Sequence, residues 1–145
     1  MSMKQIACVT AILMLSVFSE RAGASEDQGL AAKLRNVVQQ NLAAYNREDV
    51  AGAMTFIHTK SPEYSTTQGA LPGQFEVLDA RAELVSFDYI GHDNEFAVAR
   101  VKLKTVDQSE EPFSANVIDT ITVFHQEDGV WKYWSDHILG VELVQ

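Results

Sequence analysis

Asp119 is the residue in this 145-residue chain whose setting most invites chemistry. It interrupts a run in which Phe113, Ala115, Val117, Ile121 and Val123 alternate as the apolar side of a strand. Burying a carboxylate is costly unless it is paired or protonated. A carboxylate made more basic by an apolar pocket can abstract a proton beside a carbonyl. Strand pairing also brings Arg100 within reach, and a guanidinium there would depress the acid and leave an ordinary ion pair. Asp119 therefore carries two readings, a structural pair with Arg100 or a catalytic acid. Tyr89 is the companion candidate, because a tyrosine hydroxyl can polarise a carbonyl; the alternative is a core ring with a satisfied hydroxyl. Arg100, Asp136, Trp134 and Phe87 fall on the same expected face and form the candidate ligand-binding set.

Other chemistries lack their residues. His58, His92, His125 and His137 show neither His-x-His nor His-x3-His spacing, so no metal site is expected. Ser135-Asp136-His137 is not a triad, since neighbours in a strand point to opposite faces. No glycine-rich phosphate loop, nucleophile elbow or redox cysteine pair occurs, and no cofactor is implied.

The elements that must position these residues divide the chain in two. Leu30, Leu34, Val37, Val38, Leu42 and Tyr45 recur at spacings of three and four, which predicts an amphipathic helix over about 27–45. A second helix is expected over 47–58, with Asn46 as its N-cap and acids in its first turn. Gly69, Pro72 and Gly73 predict at best a broken third helix over 65–76. From Ala80 the period becomes two. Strands are expected at about 80–90, 95–106, 113–126 and 130–143, with Asp128-Gly129 as a tight turn. Long antiparallel strands in a small domain must twist and coil. The expected fold is α+β, with N-terminal helices packed on the concave face of a strongly curved four-stranded antiparallel sheet, a cone-shaped half-barrel.

Turn-based registers set Tyr89 against Phe96, Arg100 against Asp119 and Val123 against Trp134. One face then reads Val85, Phe87, Tyr89, Phe96, Val98, Val117, Ile121, Val123, Trp134 and Ile138, and this bulky face is the one expected beneath the helices. The small-residue face, with Ala97, Ala99, Thr120 and Thr122, is left for a second subunit.

The N-terminus has the layout of a secretory leader: Lys4, the apolar run Ile6 to Phe18, and Ala22-Gly23-Ala24 before a cut at Ser25. Residues 1–24 are read as this leader and 25–145 as one domain, periplasmic or secreted. The apolar run is too short for a permanent anchor, so no membrane anchor is expected after leader removal. The mature chain would hold no cysteine, hence no disulfide. It would carry 9 basic and 19 acidic residues, a net charge of −10, which repels phosphate backbones and argues against nucleic acid.

The segment VVQQNLAAYNREDVAGAMTFIH resembles the opening helices of the nuclear transport factor 2-like superfamily, which includes the SnoaL-like domains. FDYIGHDNEFAVARVKLKT followed by IDTITVFHQEDGVWKYWSDH resembles its curved sheet, with the Asp-Gly turn and Trp-Lys hairpin. The resemblance covers nearly the whole mature chain. It implies a cone with a pocket and frequent homodimers, and it implies no single activity, since that superfamily holds isomerases, dehydratases and domains without catalysis. The family's third helix is usually a better helix than 65–76. The expected role is binding of a small, largely apolar molecule in the cone. The alternatives are an acid–base isomerase or dehydratase using Asp119, and a dimerisation or partner-binding module.

Overall fold

Helix α1 spans Ile6–Tyr45, α2 Val50–Met54 and α3 Tyr64–Val77, and strands β1 Ala80–His92, β2 Phe96–Asp107, β3 Asn116–Glu127 and β4 Val130–Leu143 follow. This computed structural model describes residues 6–110 and 112–144, with side chains from residue 23 onward. The expected leader therefore lies outside the described residues except for the backbone of 6–24 and the side chain of Ala24. Among the described residues no helix is long and apolar enough to cross a membrane. The chain separates into two compact units, divided between Ala32 and Lys33. The second unit holds the last turns of α1, the two shorter helices and all four strands.

The four strands form one antiparallel sheet in the order β1-β2-β3-β4, the expected meander. Ala44, Ala53, Met54 and Leu71 pack as one core cluster from α1, α2 and α3, with Tyr45, Ile57 and Phe75 against it. The rings of Tyr45 and Phe75 meet edge-on at 5.2 Å.

Two helices differ from expectation. The second is a single turn capped by Asp49, whose carboxylate accepts the Gly52 N–H at 2.8 Å. A Cβ at Gly52 would collide with that carboxylate, so the cap requires glycine. Asn46, expected to be the cap, instead reaches β1. Its Nδ2 donates to Ala82 O at 2.9 Å and its Oδ1 accepts from Ala82 N at 2.8 Å, in the manner of an added strand residue. Glu48 takes a left-handed φ of 59°, which helps turn the chain out of α1. The third helix is continuous through Gly69, Pro72 and Gly73 rather than broken. Pro72 removes one backbone donor, but buried Leu71 and the Phe75 ring anchor this helix to the core, and packing outweighs propensity.

The larger correction concerns the faces of the sheet. Ala97, Ala99, Val101, Thr120, Thr122 and Phe124 are buried, so the small-residue face lies beneath the helices. Arg100 and Asp119 stand on the outer face. Strand β2 pairs with β3 two residues away from the expected alignment, setting Phe96 opposite His125 and Lys102 opposite Asp119. A shift of two leaves each side chain on its own face, so the grouping of β2 and β3 residues stands and only the choice of covered face changes. Strand β4 keeps its turn register at Glu127↔Val130 and Phe124↔Tyr133, then slips by one at Trp134 to give Val123↔Ser135 and Thr122↔Asp136. Strand β1 has similar irregularities at Val85 and Ile90. Each bulge reverses the facing of the residues beyond it.

The Asn46 clamp generates a prediction. Asn46→Ala leaves the Ala82 backbone groups without their partner and should cost about 1–3 kcal/mol, read as a lower urea midpoint with an unchanged slope.

Candidate functional site

A cavity of about 230 Å³ lies between the helices and the covered face of the sheet. Asn41 and Tyr45 of α1, Ala53 of α2, Thr67 and Leu71 of α3, Leu103 of β2 and Tyr133, Trp134 and Asp136 of β4 line it. Ile57, Ser61 and Glu63 complete the lining from the segment between α2 and α3. Most of the wall is aliphatic or aromatic, and the acids are Glu63 and Asp136.

The segment 56–63 is sewn along the free edge of β4. Phe56 O accepts from Tyr133 N at 2.8 Å, and His58 N donates to Tyr133 O at 2.9 Å. The Ser61 hydroxyl donates to Trp134 O at 2.6 Å, and Glu63 Oε1 accepts from Asp136 N at 3.2 Å. Tyr133 and Trp134 are adjacent yet both turn a carbonyl to this edge, which the bulge permits. It also faces Asp136 inward, where the Thr122 hydroxyl donates to Oδ1 at 2.6 Å.

Asp136 has a surface open to solvent, yet its carboxyl group is surrounded by protein because it sits inside a concavity. This enclosure pushes its pKa up to about 6. The Glu63 charge adds to the rise, while the Thr122 hydrogen bond and His137 oppose it. Desolvation also raises the Tyr133 hydroxyl well above its ordinary range, with the Asp136 charge acting in the same direction. The Tyr45 hydroxyl is raised by burial while accepting from Gln74 Nε2 at 2.7 Å.

Of the residues singled out in the sequence, Asp136 and Trp134 line the cavity. Asp119 does not. On the outer face its carboxylate takes two hydrogen bonds from Arg100, at 2.9 and 2.6 Å, with the Lys102 ammonium at 3.9 Å. The Arg100 bonds, followed by the charges of Arg100 and Lys102, hold its pKa below the usual range. This is the structural pair of the two readings, reached along a diagonal rather than directly across. Phe87 and Tyr89 stand opposite Val101 and Ala99, but neither lines the cavity, and the Tyr89 hydroxyl meets His92 Nδ1 at 2.5 Å.

Sequence reading missed Glu63, Tyr133 and Tyr45. Tyr133 falls with the small-residue side of the sheet in the period-two pattern, and Glu63 reaches the site only through the edge-strand stitching, which leaves no periodic trace. Beside the cavity, buried His58 packs its ring edge-on against Trp134 at 5.1 Å and His125 at 4.8 Å. Among the described residues no group of three or more His, Cys, Asp or Glu could hold a metal ion.

Helices followed by a curved antiparallel meander with a cavity between the two layers define the nuclear transport factor 2-like, or cystatin-like, α+β fold. The profile of the family described as the C-terminal domain of the anti-sigma-I factor RsgI9 matches residues 36–144, and the chain belongs to that family. Solved structures share the fold at low identity. A candidate scytalone dehydratase from Novosphingobium aromaticivorans aligns with a TM-score of 0.68 at 6% identity, covering 83% of this chain and 92% of that one. A candidate dehydratase of the nuclear transport factor 2-like family from Streptomyces avermitilis gives 0.63 at 11%, covering 81% and 98%. An uncharacterised protein with a cystatin-like fold from Caulobacter vibrioides gives 0.62 at 13%, covering 79% and 89%. No curated protein matches the sequence.

The raised acid yields a pH prediction. A carboxyl whose folded pKa lies above its unfolded value near 3.9 binds more protons when folded, so it lowers stability as pH rises from about 4 to 6. Asp136→Asn keeps an oxygen for Thr122 and removes that loss. The variant should match the parent near pH 4 and exceed it by about 1 kcal/mol at neutral pH, a figure reduced for water at the mouth. Parallel urea titrations at the two pH values test this.

Proposed function

We propose that this domain binds a small, largely apolar molecule in the cavity between its helices and its sheet. The carrying observation is the cavity itself: about 230 Å³, walled by Ala53, Ile57, Leu71, Leu103, Tyr45, Tyr133 and Trp134, with acids only at Glu63 and Asp136. Binding sites of small molecules are commonly apolar concavities with a few convergent polar groups. The volume suits a ligand of roughly ten non-hydrogen atoms or one ring of a larger molecule. The family name attaches such a domain to an anti-sigma factor, a regulator, which favours binding over turnover.

One observation supports an acid–base enzyme as a second reading. Asp136, with a pKa of about 6, is poised for proton transfer at neutral pH, and two similar folds come from candidate dehydratases. The acid in that reading is Asp136 in place of Asp119.

Export through residues 1–24 and a homodimer in the periplasm or exterior belong to the same proposal. Ile138, Leu139, Val141 and Leu143 support the dimer, being 56–66% exposed along the far half of β4.

Native mass spectrometry of the protein purified from its host should show a retained small molecule, loss of residues 1–24 and a dimer mass. Leu103→Trp, which fills the cavity from β2, should remove the retained mass, whereas Asp119→Asn should keep it. Retention undiminished by Leu103→Trp would place the ligand elsewhere.

A further inference from the structure

The acids of the cavity lack a salt-bridge partner. Among the described residues neither Glu63 nor Asp136 makes a salt bridge, whereas Asp119, Glu127 and Asp79 each do. No lysine, arginine or histidine lines the cavity. Each acid has one oxygen anchored, Asp136 Oδ1 by Thr122 and Glu63 Oε1 by the Asp136 amide, and one oxygen without a protein donor among the described residues. The titratable groups acting on Asp136 are Glu63 at the start of α3 and Tyr133 and His137 from β4, with Tyr45 of α1 in the same cavity wall. The Tyr133 side chain is enclosed by protein and lines the cavity, and its hydroxyl has no hydrogen-bond partner among the described residues. The tyrosines Tyr45 and Tyr133 wall the same space, whereas the Trp134 ring turns to Phe96 and His125.

We propose that the cavity selects a small organic ammonium ion: an apolar body against Leu71, Leu103 and the rings, and a protonated amine held by the free oxygens of Asp136 and Glu63 and by the Tyr133 hydroxyl. This rests on the binding role proposed above and names the ligand's chemical class. A primary ammonium has three N–H donors and no acceptor, and the polar end of the cavity offers three acceptor groups for them. Aromatic walls favour cations further through their ring faces. A carboxylate or phosphate ligand would meet two like charges. A neutral alcohol or ketone would leave those charges unanswered. The strongly acidic chain, with net charge −9, draws a cation toward the mouth.

Binding of such an ion has a defined pH response. Asp136 is partly protonated near pH 6 when the cavity is empty. An ammonium ion binds its ionised form, so binding strengthens as pH rises through that range and levels off above it. A neutral ligand accepting a proton from Asp136 would respond in the opposite sense.

Calorimetry on the full chain with benzylamine, benzyl alcohol and benzoate tests this, since the three share a ring and differ in charge. Benzylamine should bind about tenfold or more tightly than benzyl alcohol at about pH 7.5, and lose about tenfold on moving to pH 5. Benzoate should not bind. Asp136→Asn and Glu63→Gln, each verified as folded by circular dichroism, should each weaken benzylamine about tenfold and narrow or abolish its preference over benzyl alcohol. Equal or tighter binding of benzyl alcohol or benzoate, abolished by Leu103→Trp, would overturn the ammonium assignment and leave the cavity reading intact. Failure of all three probes to bind at millimolar concentration, with no mass retained from the host, would overturn both.

Discussion

One extra residue in β4 decides what this fold can do. At Trp134 the strand slips by one against β3, so that Tyr133 stands opposite Phe124 but Asp136 opposite Thr122. Without the slip, Asp136 would face outward with Ser135 turned in, and the cavity would lose one of its two acids. The bulge also faces two successive carbonyls to the open edge, where His58 and Ser61 bind them. Edge strands need such cover, because unpaired backbone groups invite association. Here the cover is the segment 56–63, and in closing the edge it carries Glu63 to the mouth of the cavity.

The covered face is made mostly of small side chains. Ala97, Ala99 and Val101 in β2, flanked by Thr120, Thr122 and Phe124 in β3, are all buried. The cavity lies toward β4, where Tyr133 and Asp136 line it. Packing of this kind would be completed more cheaply by an apolar side chain than by Asp136, whose carboxyl is raised to about 6 by its enclosure. A residue that opposes the stability of its own fold marks a place where the structure serves something besides folding.

The architecture was legible in the sequence because long strands leave a strong period of two. All four strand spans agree with expectation to within about three residues, and the Asp128-Gly129 turn set the first rungs of the last hairpin correctly. The grouping of β2 and β3 side chains by face was legible, but which face is covered was not, nor the facing within β1 and β4. A bulge adds a residue without altering composition, and the bulges at Val85, Ile90 and Trp134 fall where alternation looks unbroken. Bulky side chains on the outer face, among them Phe96, Val98, Ile121 and Val123, made that face read as core. The short second helix was overextended for a related reason: Asn46 has the chemistry of a cap, but its amide matches a strand's donor and acceptor pair equally well, and β1 was the better partner.

The contrast between Asp119 and Asp136 shows why geometry has to precede chemistry when a carboxylate is judged. Both acids sit in apolar strand contexts, and Asp119 has the more apolar flanks of the two. Asp119, however, meets two cations at its own face, and its charge is answered there at 2.6 Å. Asp136 meets another carboxylate across the cavity mouth. In a low-dielectric recess, an unanswered pair of like charges costs far more than it would in water. That cost is lowered by protonation or by an arriving cation, so the same arrangement accounts for the raised pKa and for the character of the ligand proposed to enter. The ion pair outside stabilises what is already assembled, while the acids inside leave an interaction to be completed.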